Sequence, residues 1–542
     1  MNSSADIADV LIVGGGTSGG VAARHLAEAG FRVTVLEQGD WPNEDKFPGG
    51  VPEYELLVGK PWSGDPNLRG RRQDYPINVS QCDIPLYMFN AVGGSSVIFA
   101  ACWSRAMPSD FRLRTLDGVA EDWPISYEDL LPHYEANDID FGVSGLGGNP
   151  AYPQGGAPPP LPALPIHKAG RKMAEGMNKL GWHWWPGYNA MPSRDHGQQK
   201  QCVRLGICHL GCREGAKGST HVTQFPIALR HGAKVIAGAR VARVTLDASG
   251  RANGAVYILN GKEHFQAASV VIVACNGIGT PRMLLMSACD RFPNGLANSS
   301  GLVGKRLMVH PYGASVGLYE DDLEDWIGPT GELIESLQFY ETDASRGFVR
   351  GSKWILQPTT GPLRTVGRWT HGEGVAEEDF WGEQFTVKMS KSIGHTIQWL
   401  VMSEDLPEES NQVTLDAVLK DADGLPAPAV QYRTSENTKR LVDFNLNRSM
   451  ESHRAAGAYK TWVTSRKVTP GHLMGTAKMG NDPQTSVVNA YGRAHDVPNL
   501  YLVDGSVFTT STGLNPTATI CALARRTAKH LIATRREIGV AS

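Results

Sequence analysis

The stretch from Asp9 to Glu37 constrains this chain more than any other. Val10–Val13 is apolar without alternation, the pattern of a parallel strand covered on both faces. Gly14-x-Gly16-x-x-Gly19 follows at once, with Ser18 inside the turn. Gly20–Glu28 then reads as a helix and Phe31–Leu36 as a second strand with Glu37 at its end. Glycines so placed let the backbone approach a pyrophosphate, whose charge rests on the helix N-terminus, while the acid can accept both hydroxyls of a ribose. A lone GxGxxG is weak, because Gly-rich turns are common. Here strand, helix, strand and acid are in register, and a dinucleotide-binding unit is predicted.

Which dinucleotide is a separate question. No second strand–GxGxxG–helix unit follows, since Gly145-Leu146-Gly147-Gly148 lacks a preceding strand. One nucleotide site favours FAD reduced directly by substrate over a flavin reduced by NADPH.

Later segments resemble the glucose–methanol–choline (GMC) oxidoreductase family over nearly the whole chain. They are Val92-Gly93-Gly94-Ser95-Ser96 with Arg105 downstream, Thr280-Pro281-Arg282-Met283-Leu284-Leu285-Met286-Ser287, and the block from Gly471 to Ala524. The wording of that last block, His472-Leu473-Met474-Gly475-Thr476-Ala477-Lys478-Met479-Gly480 and then Asn515-Pro516-Thr517-Ala518-Thr519-Ile520, is most similar to the bacterial branch acting on sugars, polyols and sugar acids. Asn276-Gly277-Ile278-Gly279 departs from the usual Gly-Ala wording of the second signature. The resemblance implies an α/β fold, α+β overall: a Rossmann-like FAD-binding domain (1–118, 200–312 and 468–542) interleaved with an antiparallel-sheet substrate domain (119–199 and 313–467).

Roles follow from the resemblance position by position. Gly93 and Gly94 let the chain pass close to the flavin and its diphosphate, and Ser95 and Ser96 can donate to phosphate oxygens. Val241 matches a backbone contact to adenine, Asp504 beside Gly505 a ribityl or phosphate contact, and the Thr517 amide faces the flavin pyrimidine. The helix predicted from Thr517 to Ile532 would stabilise reduced flavin with its N-terminus. Ile98 stands where some relatives carry a flavin-bonded histidine, so non-covalent FAD is expected.

An alcohol carbon releases hydride only once its hydroxyl gives up a proton. His472 is the candidate base and Asn515 the candidate hydrogen-bond donor to the developing alkoxide, with hydride passing to flavin N5. Asn515 before Pro516 equally suits a helix N-cap. The favoured activity is an FAD-dependent dehydrogenase of a sugar, glycoside or polyol. The alternatives are an oxidase making hydrogen peroxide, including from aromatic alcohols, and a non-redox hydroxynitrile lyase. A carrier protein, quinone or oxygen would accept the electrons, and a small or electron-transfer subunit is a candidate partner.

Cys202, Cys208 and Cys212 lie in a Gly-rich loop whose spacing resembles the [3Fe-4S] loop of flavin-dependent glucose dehydrogenases in this branch; a purely structural loop is the alternative. The remaining five of the eight cysteines are scattered and read as buried, inert thiols. Aromatics crowd residues 326–399 (Trp326, Phe339, Tyr340, Phe348, Trp354, Trp369, Phe380, Trp381, Phe385, Trp399). Two or three are expected to line a substrate pocket, with His371 and His395 as further polar candidates. The Pro-rich Gly148–Leu164 reads as an extended connector.

Composition excludes several classes. With a net charge of −3 the chain has no electrostatic case for nucleic acid or an anionic membrane. No apolar run approaches the roughly 18 residues of a spanning helix. Met1-Asn2-Ser3-Ser4 leads straight into the first strand, leaving no room for a signal peptide, so cytoplasm is the default expectation unless a partner subunit carries the chain elsewhere.

Overall fold

The computed structural model describes residues 7–49, 51, 53–57, 60, 62–154, 156–359, 361–370 (backbone only for 368–370), 381–468, 471–538 and 540. His371, Phe380, the Trp369 side chain and Met1–Ser4 lie outside these.

The N-terminal unit forms as strand β1 (Ala8–Val13), helix α1 (Thr17–Glu28) and strand β2 (Val33–Glu37). The helix starts earlier than predicted, because Thr17, Ser18 and Gly19 are inside it, and β2 starts later, at Val33. Gly19 is forced: a Cβ there would stand 2.1 Å from the Gly14 carbonyl oxygen, so only glycine lets α1 sit down on the turn. β1 pairs in parallel with β2 on one side and with β6 (Lys262–Val273) on the other. Val10, Leu11 and Ile12 are fully buried between these neighbours, as the unbroken apolar run requires.

With β3 (Lys234–Ala237), β4 (Arg240–Leu246) and β5 (Ala252–Leu259) the sheet runs β3-β2-β1-β6-β5-β4, and Leu500–Leu502 pairs in parallel with β6 as the seventh strand. The order β6-β5-β4 is an antiparallel meander, so the sheet is mixed. Helix α2 (Asn276–Met286) follows β6. Its unusual opening has a local cause: Asn276 adopts φ +69° and its side-chain oxygen accepts the Ile278 and Gly279 amides at 2.9 and 3.2 Å. Asparagine tolerates that left-handed backbone better than most residues.

A second sheet is antiparallel. Its strands β7 (Tyr312–Leu318), β8 (Ile334–Ser336), β9 (Ser352–Gln357), β10 (Thr396–Ser403) and β11 (Lys460–Val468) run β11-β7-β10-β9-β8, with Trp185–Pro186 at the edge. Helix α3 (Glu436–Ala455) packs on one face, burying Val442 and Leu446 against Trp354, Trp399 and Val463. The two indoles are anchored by polar atoms of α3: Trp354 Nε1 donates to Asn445 at 2.9 Å and Trp399 Nε1 to Ser452 at 3.0 Å. Buried indole N–H groups need such partners, which makes these tryptophans core residues. In the Gly148–Leu164 segment, Leu161–Pro162 pairs with Ser144–Gly145.

Candidate active site

One cavity of about 740 Å³ reaches from the first Gly-rich turn to the C-terminal block. Its nucleotide end is built from sequence-adjacent parts. Gly14, Gly16, Thr17 and Ser18 line it, and α1 begins there with no side-chain cap and no acid in its first turn. The free amides of that turn are a site for an anion. Gly19 lies behind, packed on Gly14. Glu37 accepts the Gly15 and Gly39 amides at 2.7 and 2.8 Å, one on each oxygen, and burial pushes its pKa up to about 7 against those bonds. Beside it the Gln38 Nε2 is buried, lines the same wall and has no partner among the described residues. An orphaned donor next to an anchored carboxylate suits a ribose edge.

The second Gly-rich turn crosses the first. Gly93 donates to the Gly15 carbonyl at 2.7 Å, and a Cβ on Gly94 would meet Gly16 Cα at 2.7 Å. Ser95 and Ser96 line the cavity, but Ser96 has no hydroxyl hydrogen to spare: it donates to Gly93 O at 2.5 Å and accepts the Thr220 amide. Ser96 therefore braces its own turn. Val241 lines the cavity. Asp504 does too; its carboxylate is held by Thr280 Oγ1 at 2.5 Å and the Ser506 amide at 2.8 Å, and burial raises its pKa. Gly505 lies where a Cβ would press on Leu473 O at 2.6 Å. Thr517 opens helix α4 (Thr517–Ala533), again with neither a side-chain cap nor an acid in its first turn. Two uncapped helix N-termini thus face one cavity, and the donor set fits a flavin adenine dinucleotide.

His472 and Asn515 line the far end together. Asn515 does not cap α4; Pro516 holds that position, and the Asn515 Oδ1 accepts instead from Lys353 Nζ at 3.2 Å. His472 Nδ1 lies 2.7 Å from His310 Nδ1, with the rings nearly perpendicular at 88°. His310 Nε2 is 2.7 Å from the Thr512 carbonyl, which can only accept, so that nitrogen carries the hydrogen. Burial lowers the His310 pKa to about 4, and the ring is neutral with a bare Nδ1. His472 must then donate from Nδ1, which leaves its Nε2 lone pair free. Desolvation first, then the neighbouring His310 ring and the Lys353 ammonium, hold the His472 pKa well below its usual value. The arrangement is a neutral imidazole in one tautomer with its basic nitrogen available.

His310 and Lys353 were not legible in the sequence as site residues. His310 precedes Pro311 outside any motif, and its partner is 162 residues away. A lysine opening the apolar run Trp354-Ile355-Leu356 was the one hint at Lys353. The aromatic expectation is corrected: none of the described aromatics of 326–399 lines the cavity, whose aromatic walls are Trp62, Tyr75, Tyr87, Phe89, Phe99 and Tyr312. Trp354 and Trp399 went to the core, and Trp326 and Trp381 are exposed. His395 bonds the Asp321 carbonyl away from the cavity.

The cluster expectation for the cysteine loop gains no support. Among the described residues no group of three or more His, Cys, Asp or Glu is arranged to hold a metal. Cys202 and Cys208 both turn their sulfurs to Met191 Sδ at 3.9 Å, while the Cys212 sulfur accepts the Ala216 amide. The loop is fastened by Lys217, whose buried ammonium donates to the carbonyls of Val97, Phe99 and Cys208 at 2.7, 3.2 and 2.6 Å. It thereby fixes the cavity wall at Ile98 and Phe99 and carries His209 into that wall. Among the described residues no helix is long and apolar enough to cross a membrane.

Family models described as GMC oxidoreductase match residues 8–312 and 407–524. The chain is 40% identical over 538 residues to a 2-methyl-1,2-propanediol dehydrogenase of Mycolicibacterium austroafricanum, covering 98% of this chain and 96% of that one. It is 29% identical to the fructose dehydrogenase large subunit of Gluconobacter japonicus, covering 97% and 98%. Among solved structures, pyridoxine 4-oxidase from Mesorbium loti superposes with a TM-score of 0.65 at 18% identity, covering 96% of this chain and 99% of that one.

Proposed function

This chain belongs to the GMC oxidoreductase family, and we propose that within it the protein is an FAD-dependent dehydrogenase oxidising a hydroxyl of a polyol or sugar to a carbonyl. The observation that carries this reading is the single cavity shared by the Gly14–Ser18 turn, Glu37, His472 and Asn515. The first and last of the three sequence pieces assigned to FAD supply these residues.

Bound FAD supplies the acceptor for the hydride that leaves the carbinol carbon. The chain's own residues prepare the alcohol. His472 Nε2 takes the hydroxyl proton; its ring is kept neutral by desolvation and held in the right tautomer by His310. The Asn515 amide donates to the oxygen as it becomes an alkoxide. The uncapped N-terminus of α4 offsets negative charge that accumulates nearby. FAD is held without a covalent bond, Ile98 having no nucleophile to offer.

Substrate class rests on two supports. The propanediol and fructose dehydrogenases are both named for polyhydroxy compounds. In this chain His209, Gln357, Arg364, Gln398 and Thr464 line the same cavity as its aromatic walls, a mixture suited to a hydroxylated molecule. A partner subunit is a further proposal, since the fructose enzyme is named as a large subunit. Assays with 1,2-diols, polyols and ketoses, using a soluble quinone in one arm and air in another, test the reading. It expects a carbonyl product by mass spectrometry with the quinone and slow turnover in air. Fast peroxide production in air would make the protein an oxidase.

A further inference from the structure

A fully buried charge cluster stands behind Asn515, and the chemistry above does not use it. Lys353, on β9, has no exposed surface and does not line the cavity. Its ammonium touches Glu332 and Ser104 at close range, Glu335 Oε2 at 3.0 Å and Asn515 Oδ1 at 3.2 Å. Glu335 is tied in turn by Asn149 Nδ2 at 3.2 Å and Ser104 Oγ at 3.4 Å. A buried lysine costs free energy unless paired, so two carboxylates around one ammonium are what keep it charged here.

An ammonium only donates, and so only the oxygen end of the Asn515 amide can face it. The NH2 end is thereby turned the other way, toward the Tyr312 hydroxyl and the cavity that Asn515 shares with His472. Without a donor behind it the amide could rotate by half a turn and present oxygen to an alkoxide, which would repel rather than stabilise it. We propose that Lys353, clamped by Glu332 and Glu335, is the positioning residue that fixes Asn515 with its NH2 toward the substrate oxygen. This inference rests on Asn515 contacting that oxygen, as proposed above. The same ammonium also disfavours a proton on His472, together with His310. Tyr312, Cys102, Glu332 and Glu335 are the other titratable groups packed around this end of the site.

The test is a double-mutant cycle on the anaerobic flavin-reduction rate of FAD-loaded enzyme: parent, Lys353→Met, Asn515→Ala and both together. Each single change should slow the limiting rate by roughly 10–100-fold with little change in substrate affinity. The double variant should be no slower than Asn515→Ala alone, within about threefold, because residues acting through one contact are not additive. Lys353→Met should also move the acid limb of the rate upward in pH, since protonated His472 is no longer repelled; mere loosening of the site would lower the rate alike at every pH. Independent multiplying losses, or an unchanged Lys353→Met rate, overturn the inference while leaving His472 and Asn515 in place. An unchanged Asn515→Ala rate overturns the reading of Asn515 itself. Should Lys353→Met alone fail to fold around two unpaired carboxylates, adding Glu332→Gln and Glu335→Gln removes that burden, and the same outcomes decide.

Discussion

Replacing His310 by leucine probes the tautomer argument without touching any group that meets the substrate. In the parent, the Thr512 carbonyl fixes a hydrogen on His310 Nε2 at 2.7 Å, and the bare His310 Nδ1 accepts from His472 Nδ1, also at 2.7 Å. Leucine removes both bonds. His472 is then free to turn or to place its hydrogen on Nε2, where it can no longer act as a base. Outer partners that orient a functional histidine are worth about 10–100-fold by analogy with metal-ligating ones, or about 1.4–2.7 kcal/mol in the barrier. The folded state pays as well: the His472 N–H loses its partner, costing about 1–3 kcal/mol if left buried and unsatisfied, whereas the Thr512 carbonyl keeps the Ser511 hydroxyl at 3.1 Å. The assay is stopped-flow flavin reduction under anaerobic conditions, with FAD content and thermal midpoint measured on the same samples. The limiting reduction rate should fall 10–100-fold while substrate affinity is nearly kept. His310→Gln, whose side-chain oxygen can accept the His472 hydrogen, should recover part of the loss. An FAD-loaded His310→Leu enzyme reducing within about threefold of the parent would refute the tautomer argument, since that is well below the effect expected of an orienting partner.

Other outcomes follow from the same geometry. His472→Ala should slow flavin reduction by about 10²–10⁴-fold with FAD retained, the range of a lost general base, measured by the same stopped-flow method. Gly94→Ala places a Cβ 2.7 Å from Gly16 Cα at a residue with φ +53°, so the two turns must separate; FAD content after gel filtration should drop sharply. The His310 pKa is depressed to about 4 in the folded chain, from the unfolded value near 6.5. The unfolded chain therefore takes up the proton first, and the stability this residue contributes is complete above about pH 6.5 and lost as pH falls toward 4. Urea titrations should show that loss in the parent and less of it in His310→Leu. Lys217→Met should loosen the wall at Val97 and Phe99, raising the protease sensitivity of the Cys202–Cys212 loop, which limited proteolysis would detect.

The fold was legible where its determinants are local. The run Val10–Val13, the Gly14-x-Gly16-x-x-Gly19 turn and Glu37 specify a strand, a helix and an acid within a short stretch, and each physical reason acts between near neighbours. What escaped is what folding brings together from afar. His310 meets His472, and Lys353 meets Asn515, each across 162 residues, and neither partner sits in a pattern that announces the other. Aromatic density in 326–399 misled for a related reason. An indole is equally at home in a core and in a pocket, and composition does not say which; Asn445 and Ser452 on α3 settled it for Trp354 and Trp399. The cysteine spacing carried a cluster expectation that gains no support among the described residues, where two of the thiols face Met191.

The most direct test of the central claim is the visible absorbance of the FAD-loaded protein under strictly anaerobic conditions, before and after a panel of 1,2-diols, polyols, sugars and aryl alcohols. A polyhydroxy compound should bleach the flavin band in the parent within the enzyme's turnover time, and His472→Ala should slow the bleaching by orders of magnitude. A flavin band that no alcohol bleaches, or that bleaches at the same rate without His472, would contradict that claim.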